Sequence, residues 1–316
     1  MGPNPIALPG FQVAASSGAI TTLPIDSPTL PTGRSYLISG PAFSLAAIAH
    51  PDYPSGTDLG AGGIKVLAPD TAATATDAVG PNDPGYHLGT PLPAFTGTPT
   101  DQYAWVRTQA TGYLKNTQDN AADFALVSAS GGLVGAVQSM LGSASPTGYT
   151  DPWPHTFQIR STLADPAKAA NQNPNRVVVK ITPGHPGSLQ VRRVLTNTTT
   201  GTVTSMTLRI TTISEANGLT APASAGTGTK AQIRATNPAT PTSTITVAGA
   251  PVTVHNLSID PPVAANPGGG LNTTLTVPLP PGGLPPGTSM TVGLTFATDV
   301  SGTFWFNYAV DTLGLN

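Results

Sequence analysis

Met206-Thr207-Leu208-Arg209-Ile210 alternates apolar and polar residues one by one. A period of two puts Met206, Leu208 and Ile210 on one face of an extended strand and Thr207 and Arg209 on the other. That is the mark of an antiparallel sheet with one buried and one wet face. The pattern recurs on both sides. Upstream, Phe157 to Leu163 carries apolar residues at odd positions, Val177, Val179 and Ile181 alternate, and Leu189, Val191 and Leu195 share a face that Arg193 interrupts. Downstream come Leu275, Val277 and Leu279, then Met290, Val292, Leu294 and Phe296, then Phe304, Phe306, Tyr308 and Val310. Turn clusters at Asn197 to Gly201, Asn217-Gly218, Pro267 to Gly270 and Pro280 to Gly287 separate these runs, and the small residues Ala221 to Gly228 read as a mobile loop. About eight strands at such spacing predict an immunoglobulin-like β-sandwich over residues 156–316.

Residues 1–130 read as shorter strands broken by Pro and Gly: Phe11 to Val13, Ser35 to Ser39, Ile64 to Leu67, Asp77 to Gly80, Tyr103 to Arg107 and Phe124 to Val127. They predict a second sandwich. Between the two, residues 131–155 read as a linker. Leu133, Val134, Val137 and Leu141 have helical spacing, so a short helical turn is expected there, while Gly142, Pro146, Gly148, Pro152 and Pro154 forbid a long element. The expected fold class is all-β, two immunoglobulin-like β-sandwich domains in tandem.

Composition narrows the function classes. Of 316 residues only 9% are charged, against about 25% in ordinary globular chains. Glu215 is the single glutamate, so strong helix formers are scarce. The eight Arg and five Lys are dispersed and the formal net charge is −2, which argues against nucleic-acid partners and against an anionic membrane surface. No apolar run approaches the roughly 18 residues of a membrane-spanning helix, and the first residues carry no export signal. The chain has no cysteine, which excludes disulfides and thiolate-bound metals.

Ordered stretches over about the first 120 residues resemble the lamin tail domain of secreted bacterial proteins. They are Leu8-Pro9-Gly10-Phe11, Leu30 to Ile38, Gly63 to Leu67, Asp77 to Gly80, Gly89 to Pro93, Tyr103 to Arg107 and Asp119 to Phe124. The resemblance implies an immunoglobulin-like fold and an extracellular or cell-surface setting. That family begins with two strands upstream of the stretch matched by Leu8 to Phe11, and the resemblance leads to the expectation that they are missing here. An unpaired edge is therefore expected at Leu8, Phe11 and Val13, a template for another chain. Residues 155–313 are similar to a C-terminal module of bacterial secreted proteins, through Pro174 to Val177, Leu189 to Arg193, Thr196 to Thr199, Pro261-Pro262, Pro267 to Leu275 and Gly302 to Phe306. This resemblance implies a surface setting and no activity.

Motifs that carry chemistry are scarce in this chain. There is no Gly-x-Ser-x-Gly elbow and no His-x-x-x-His pair; His50, His87, His155, His185 and His255 are isolated. Asp119 and Asp123, and Asp77 with Asp83, are calcium candidates that lack the EF-hand spacing, and Asx-turn bonding is the competing role. Pro267-Gly268-Gly269-Gly270 lacks the Lys-Ser/Thr of a phosphate loop and reads as a flexible turn. Tyr53, Tyr86, Trp105, Tyr113, Tyr149 and Trp153 are candidates for carbohydrate stacking, with core packing the commoner role. Trp305, alternating with Phe304 and Phe306, is a candidate interface residue. Asn197, Asn256 and Asn272 begin Asn-x-Ser/Thr triplets, of the kind that arise by chance in a Thr-rich chain.

These readings lead to a non-enzymatic extracellular structural protein without a cofactor, self-associating into a homopolymer such as a fibre, sheath or surface layer, with no membrane insertion. The alternatives are a surface module binding carbohydrate or another surface protein, and a virion structural protein.

Overall fold

The computed structural model describes residues 5–58, 62–69, 75–96, 102–110, 113–154, 158–182, 185–215, 229–260 and 268–314. Among these the α-helices are two four-residue turns, Ala46–Ala49 and Asn120–Asp123, and the chain is all-β. The expected loop at 221–228 and the strand residue Phe157 lie outside the described residues.

The first strands are β1 (Ile6–Ala7), β2 (Gln12–Ala15), β3 (Ile20–Thr22), β4 (Thr29–Leu30), β5 (Ile38–Ser39), β6 (Tyr53–Pro54), β7 (Ile64–Leu67) and β8 (Ala75–Val79). Next come β9 (Tyr103–Arg107), β10 (Gln109–Ala110), β11 (Tyr113–Leu114), β12 (Phe124–Ser128), β13 (Gly132–Val134) and β14 (Val137–Leu141). The C-terminal part holds β15 (Trp153–Pro154), β16 (Ile159–Leu163), β17 (Arg176–Thr182), β18 (His185–Asn197), β19 (Ser205–Ile213) and β20 (Gln232–Ala235). It ends with β21 (Thr242–Val247), β22 (Ala250–Asn256), β23 (Ser258–Ile259), β24 (Thr274–Thr276), β25 (Ser289–Val300) and β26 (Phe306–Leu313).

In the C-terminal part, one sheet runs β16-β18-β25-β22-β21, with β17 also on β18 and β20 also on β25; the other runs β15-β26-β19-β24-β23. The alternating residues of both sheets enter one core. Leu195, Leu294 and Phe296 of the first sheet and Met206, Leu208, Ile210 and Val310 of the second are essentially inaccessible. Each such side chain contributes about 1.5–3 kcal/mol by leaving water. The run at Leu275 keeps its burial but not its strand. Leu275 and Val277 are buried, yet β24 stops at Thr276, because Pro278 and Pro280 have no N–H for a ladder. At the other end, a register shift between Ile210 and Thr212 closes the β19–β26 ladder at Phe306. Phe304 and Trp305 therefore precede the strand, and residues 304–306 are all half-buried instead of alternating.

The N-terminal part has two four-stranded sheets, β3-β2-β7-β8 and β13-β14-β12-β9. The edge anticipated at Leu8, Phe11 and Val13 is not open. β2 lies between β3 and β7, with Val13 opposite both Thr21 and Val66. Leu8 and Val13 are each 7% exposed, and the Phe11 carbonyl accepts from the Leu23 N–H. The chain supplies the neighbour itself by turning back at Gly18, whose φ of +88° a side chain would strain. The helical turn anticipated within 131–155 is instead the β13–β14 hairpin. Val134 faces Val137 across Gly135 and Ala136, both at positive φ, the geometry of a type I′ turn. A two-residue turn places apolar residues three and four apart, which imitates helical spacing.

β14 then runs parallel to β12, pairing Val127 with Met140 and Ser128 with Leu141. Ser139 Oγ donates to the Gly132 carbonyl and meets Ser128 Oγ at 2.8 Å, which satisfies the hydroxyls where three strands meet. The small apolar core here comprises Ala125, Val127, Met140 and, from the C-terminal part, Leu271.

Candidate functional site

Leu271 marks a backbone seam between the two parts. Its N–H donates to the Leu141 carbonyl and its carbonyl accepts from the Ser143 N–H. Asn272 Nδ2 donates to the carbonyls of Ser143 and Ala144. The glycines before it are not a flexible turn: a side chain at Gly270 would overlap the Leu141 carbonyl, and one at Gly268 the Gly142 carbonyl. Glu215 seals the seam. It is 4% exposed, and one carboxylate oxygen accepts from the Leu141 N–H at 2.6 Å while the other has no partner. Burial raises its pKa to about 7, against the opposing pull of the Leu141 N–H and of Arg234.

Beside this seam lies a cavity of about 600 Å³. One wall is the 31–35 turn, a second is β9 to β11, a third is 144–154, and the floor is β19 and β26. Pro31 to Arg34 is a β-turn closed by the Arg34 N–H on the Pro31 carbonyl, with Gly33 at φ +88°. Gly33 is also required by contact: a Cβ there would sit 2.9 Å from the Trp153 ring. The turn aims Arg34 between two aromatic rings. Its guanidinium carbon is 5.4 Å from the Tyr149 centroid and 5.2 Å from that of Trp153. Nη1 donates to the Tyr149 carbonyl at 2.6 Å, and Nε is buried without a partner. Asp52 fixes this arrangement by accepting from the Leu37 and Tyr149 N–H groups.

The other two guanidiniums of the cavity are committed. Arg209 pairs with Asp311 at 3.0 Å and donates to Asn272 Oδ1 at 2.9 Å. Arg107 donates to Asp77 at 2.8 Å, lies 3.6 Å from Asp123 and covers the Phe124 ring at 4.4 Å. A second hollow, of about 210 Å³, lies near His50, Asp151 and Asp260. Burial raises the Asp260 pKa, with the Asp151 charge adding to it against the Thr276 and Thr274 hydroxyls.

The calcium candidates serve as local ties. Asp119 caps the 120–123 turn through the Ala122 N–H and accepts from both the N–H and hydroxyl of Thr90, which lowers its pKa. Burial pushes the Asp123 pKa up, but the Thr117 hydroxyl and N–H, the Asp119 bond and Arg107 together bring it below the usual range. Among the described residues no three His, Asp or Glu side chains gather around a common point. The three Asn-x-Ser/Thr asparagines are structural too. The Nδ2 of Asn197 donates to the Gly201 and Leu284 carbonyls, that of Asn256 to Thr240, and that of Asn272 to the seam. Arg192, one of the adjacent Arg pair, donates to the Pro174 carbonyl.

Trp305 borders an open groove with Phe304, Phe306, Tyr308 and Arg193. Tyr308 Oη and Ser161 Oγ are 2.6 Å apart across it. Leu8, Phe11 and Val13 belong to neither cavity nor groove. Sequence reading missed Arg34 and the seam; the one local signal was the Pro31-Thr32-Gly33 turn ahead of a lone arginine. The chain matches no protein-family model, no curated protein and no solved structure, so its functional reading stands on this geometry alone.

Proposed function

We propose that the chain is a non-enzymatic structural protein of the cell exterior, two immunoglobulin-like sandwiches in tandem, of lamin-tail type at the N-terminus, that associates with copies of itself. The observation that carries this reading is where the charged side chains go. Arg107 with Asp77, Arg209 with Asp311, Arg234 with Asp299, and Glu215 with the Leu141 N–H all tie strands and loops together. Such a chain spends its ionisable groups on rigidity. Contact between copies would use edges other than β2: β3 exposes Ile20, and β17 exposes Val178 at 71%. Electron microscopy of the native material, with a broad hydrolase screen of the purified chain, tests the proposal. Regular polymers without turnover support it. A dispersed monomer whose turnover is lost on replacing one Asp or His overturns it.

A second reading, a carbohydrate-binding surface module, is favoured by the groove at Trp305, where aromatic rings stand beside Arg193 and the Ser161 hydroxyl. Retention on a glycan array that Trp305→Ala abolishes supports it; retention unchanged by that substitution overturns it.

A further inference from the structure

We infer that the cavity between the 31–35 turn and strands β9, β15 and β26 is a binding site for a small anion carrying a flat apolar body, such as an aryl carboxylate or aryl sulfonate. The inference is independent of both readings above, since neither uses this cavity. Its volume of about 600 Å³ lies within the range of small-molecule pockets, roughly 300–1,000 Å³. Its walls are chiefly apolar: Val106, Leu114, Pro146, Pro152 and the Trp153 ring. A flat hydrophobic body fits such a slot, and Gln109 and Gln158 supply amides to orient it.

Charge selects the sign of the ligand. The lining holds three guanidiniums, Arg34, Arg107 and Arg209, against one carboxylate, Asp311. Asp311 is engaged with Arg209, and Arg107 has Asp77. No carboxylate among the described residues pairs with Arg34, and Asp52, which holds the Tyr149 N–H, is occupied by backbone donors. A cation partly removed from water without a counter-charge is held at a free-energy cost. Tyr149 and Trp153 offset part of that cost through their ring faces. An anionic group at the guanidinium edge offsets the rest, with charge-assisted hydrogen bonds. The clamp of two rings and the Asp52 bonds hold Arg34 in place beforehand, so binding orders little.

The test compares two dyes with one aromatic body, anilinonaphthalene sulfonate and its neutral counterpart phenylnaphthylamine. Each is titrated into the folded full chain and followed by the dye's own emission, excited directly. The sulfonate is expected to bind saturably and at least about tenfold more tightly than the neutral dye. Arg34→Met keeps the aliphatic stem of the side chain but removes the charged guanidinium. It should erase that preference while leaving the neutral dye within about twofold. Leu114→Trp alters a lining residue that is 46% exposed, so it blocks the slot without touching a core, and it should weaken both dyes. Equal affinities for the two dyes in the unaltered chain, or a preference that survives Arg34→Met, overturn the anion assignment. Binding that Leu114→Trp leaves unchanged, or no saturable binding, overturns the cavity as a site. Should Arg34→Met fail to fold, the dye preference of the unaltered chain and the Leu114→Trp result still decide both points.

Discussion

The two parts of the chain solve the same problem with different means. The C-terminal part hides long alternating runs from two facing sheets in one continuous apolar core. The N-terminal part has short strands, and its buried apolar side chains are dispersed over several small sheets, with Leu271 borrowed into one cluster. It compensates with polar side chains bonded to backbone. Asn120, 1% exposed, accepts from the Gly80 N–H and donates to the Ala78 carbonyl. Asp123 and Asp52 act in the same way on Thr117, Leu37 and Tyr149. Non-directional burial grows with area, whereas a buried hydrogen bond stabilises modestly and is costly to leave half made. The difference teaches that short strands can be held by a few buried side chains that bond directly to loop backbone.

The largest effect should come from the apolar side of that contrast. Phe296→Ala removes a side chain with no exposed surface and should cost about 4 kcal/mol in urea unfolding. Because the N-terminal part borrows Leu271, hydrogen-exchange protection of β12 should fall with that of β25; protection of β12 that stays at its original level breaks the comparison.

Next is the seam. The Glu215 carboxyl keeps its proton to about pH 7 in the folded chain, against about 4.5 when unfolded. Between those values the folded state binds more protons than the unfolded one, so stability falls as pH rises through the window, by about 3 kcal/mol in all. Glu215→Gln should remove that slope and be more stable than the parent above pH 7, as read from melting curves at pH 5 and 8. A slope that persists in the variant assigns it elsewhere.

Asn120→Ala should cost about 2 kcal/mol, because it strands the Gly80 N–H and the Ala78 carbonyl. Limited proteolysis should then cut within residues 80–120 while leaving β18 and β25 intact. Cleavage unchanged from the parent would mean that polar bonds do not hold the N-terminal part. Smallest is Val178→Thr, on an exposed strand, expected to change stability by less than about 0.5 kcal/mol but to reduce self-association in sedimentation if β17 is a contact edge.

The C-terminal strands were legible because the large apolar residues that enter the shared core recur at every second position in Met206 to Ile210 and Met290 to Phe296. The β13–β14 hairpin was not. Its turn is Gly135-Ala136, without the Asn-Gly signal, and Ala136 takes a φ of +63° that tertiary pairing imposes. Gly268 and Gly270 carry the same composition in a loose loop and in a tight backbone crossing; the neighbouring Leu141 and Gly142 carbonyls decide which, and they are far away in sequence. The cavity was illegible for that reason as well, since Arg34, Arg107 and Arg209 meet only through topology.

The β14 strand has a consequence for how such a chain can be recombined. A cut near residue 130 strips β12 of β14, one of its two neighbours, and a cut near 155 leaves Met140 without Leu271. Neither cut leaves these contacts intact, so grafting one half onto a foreign partner should cost the graft part of its stability.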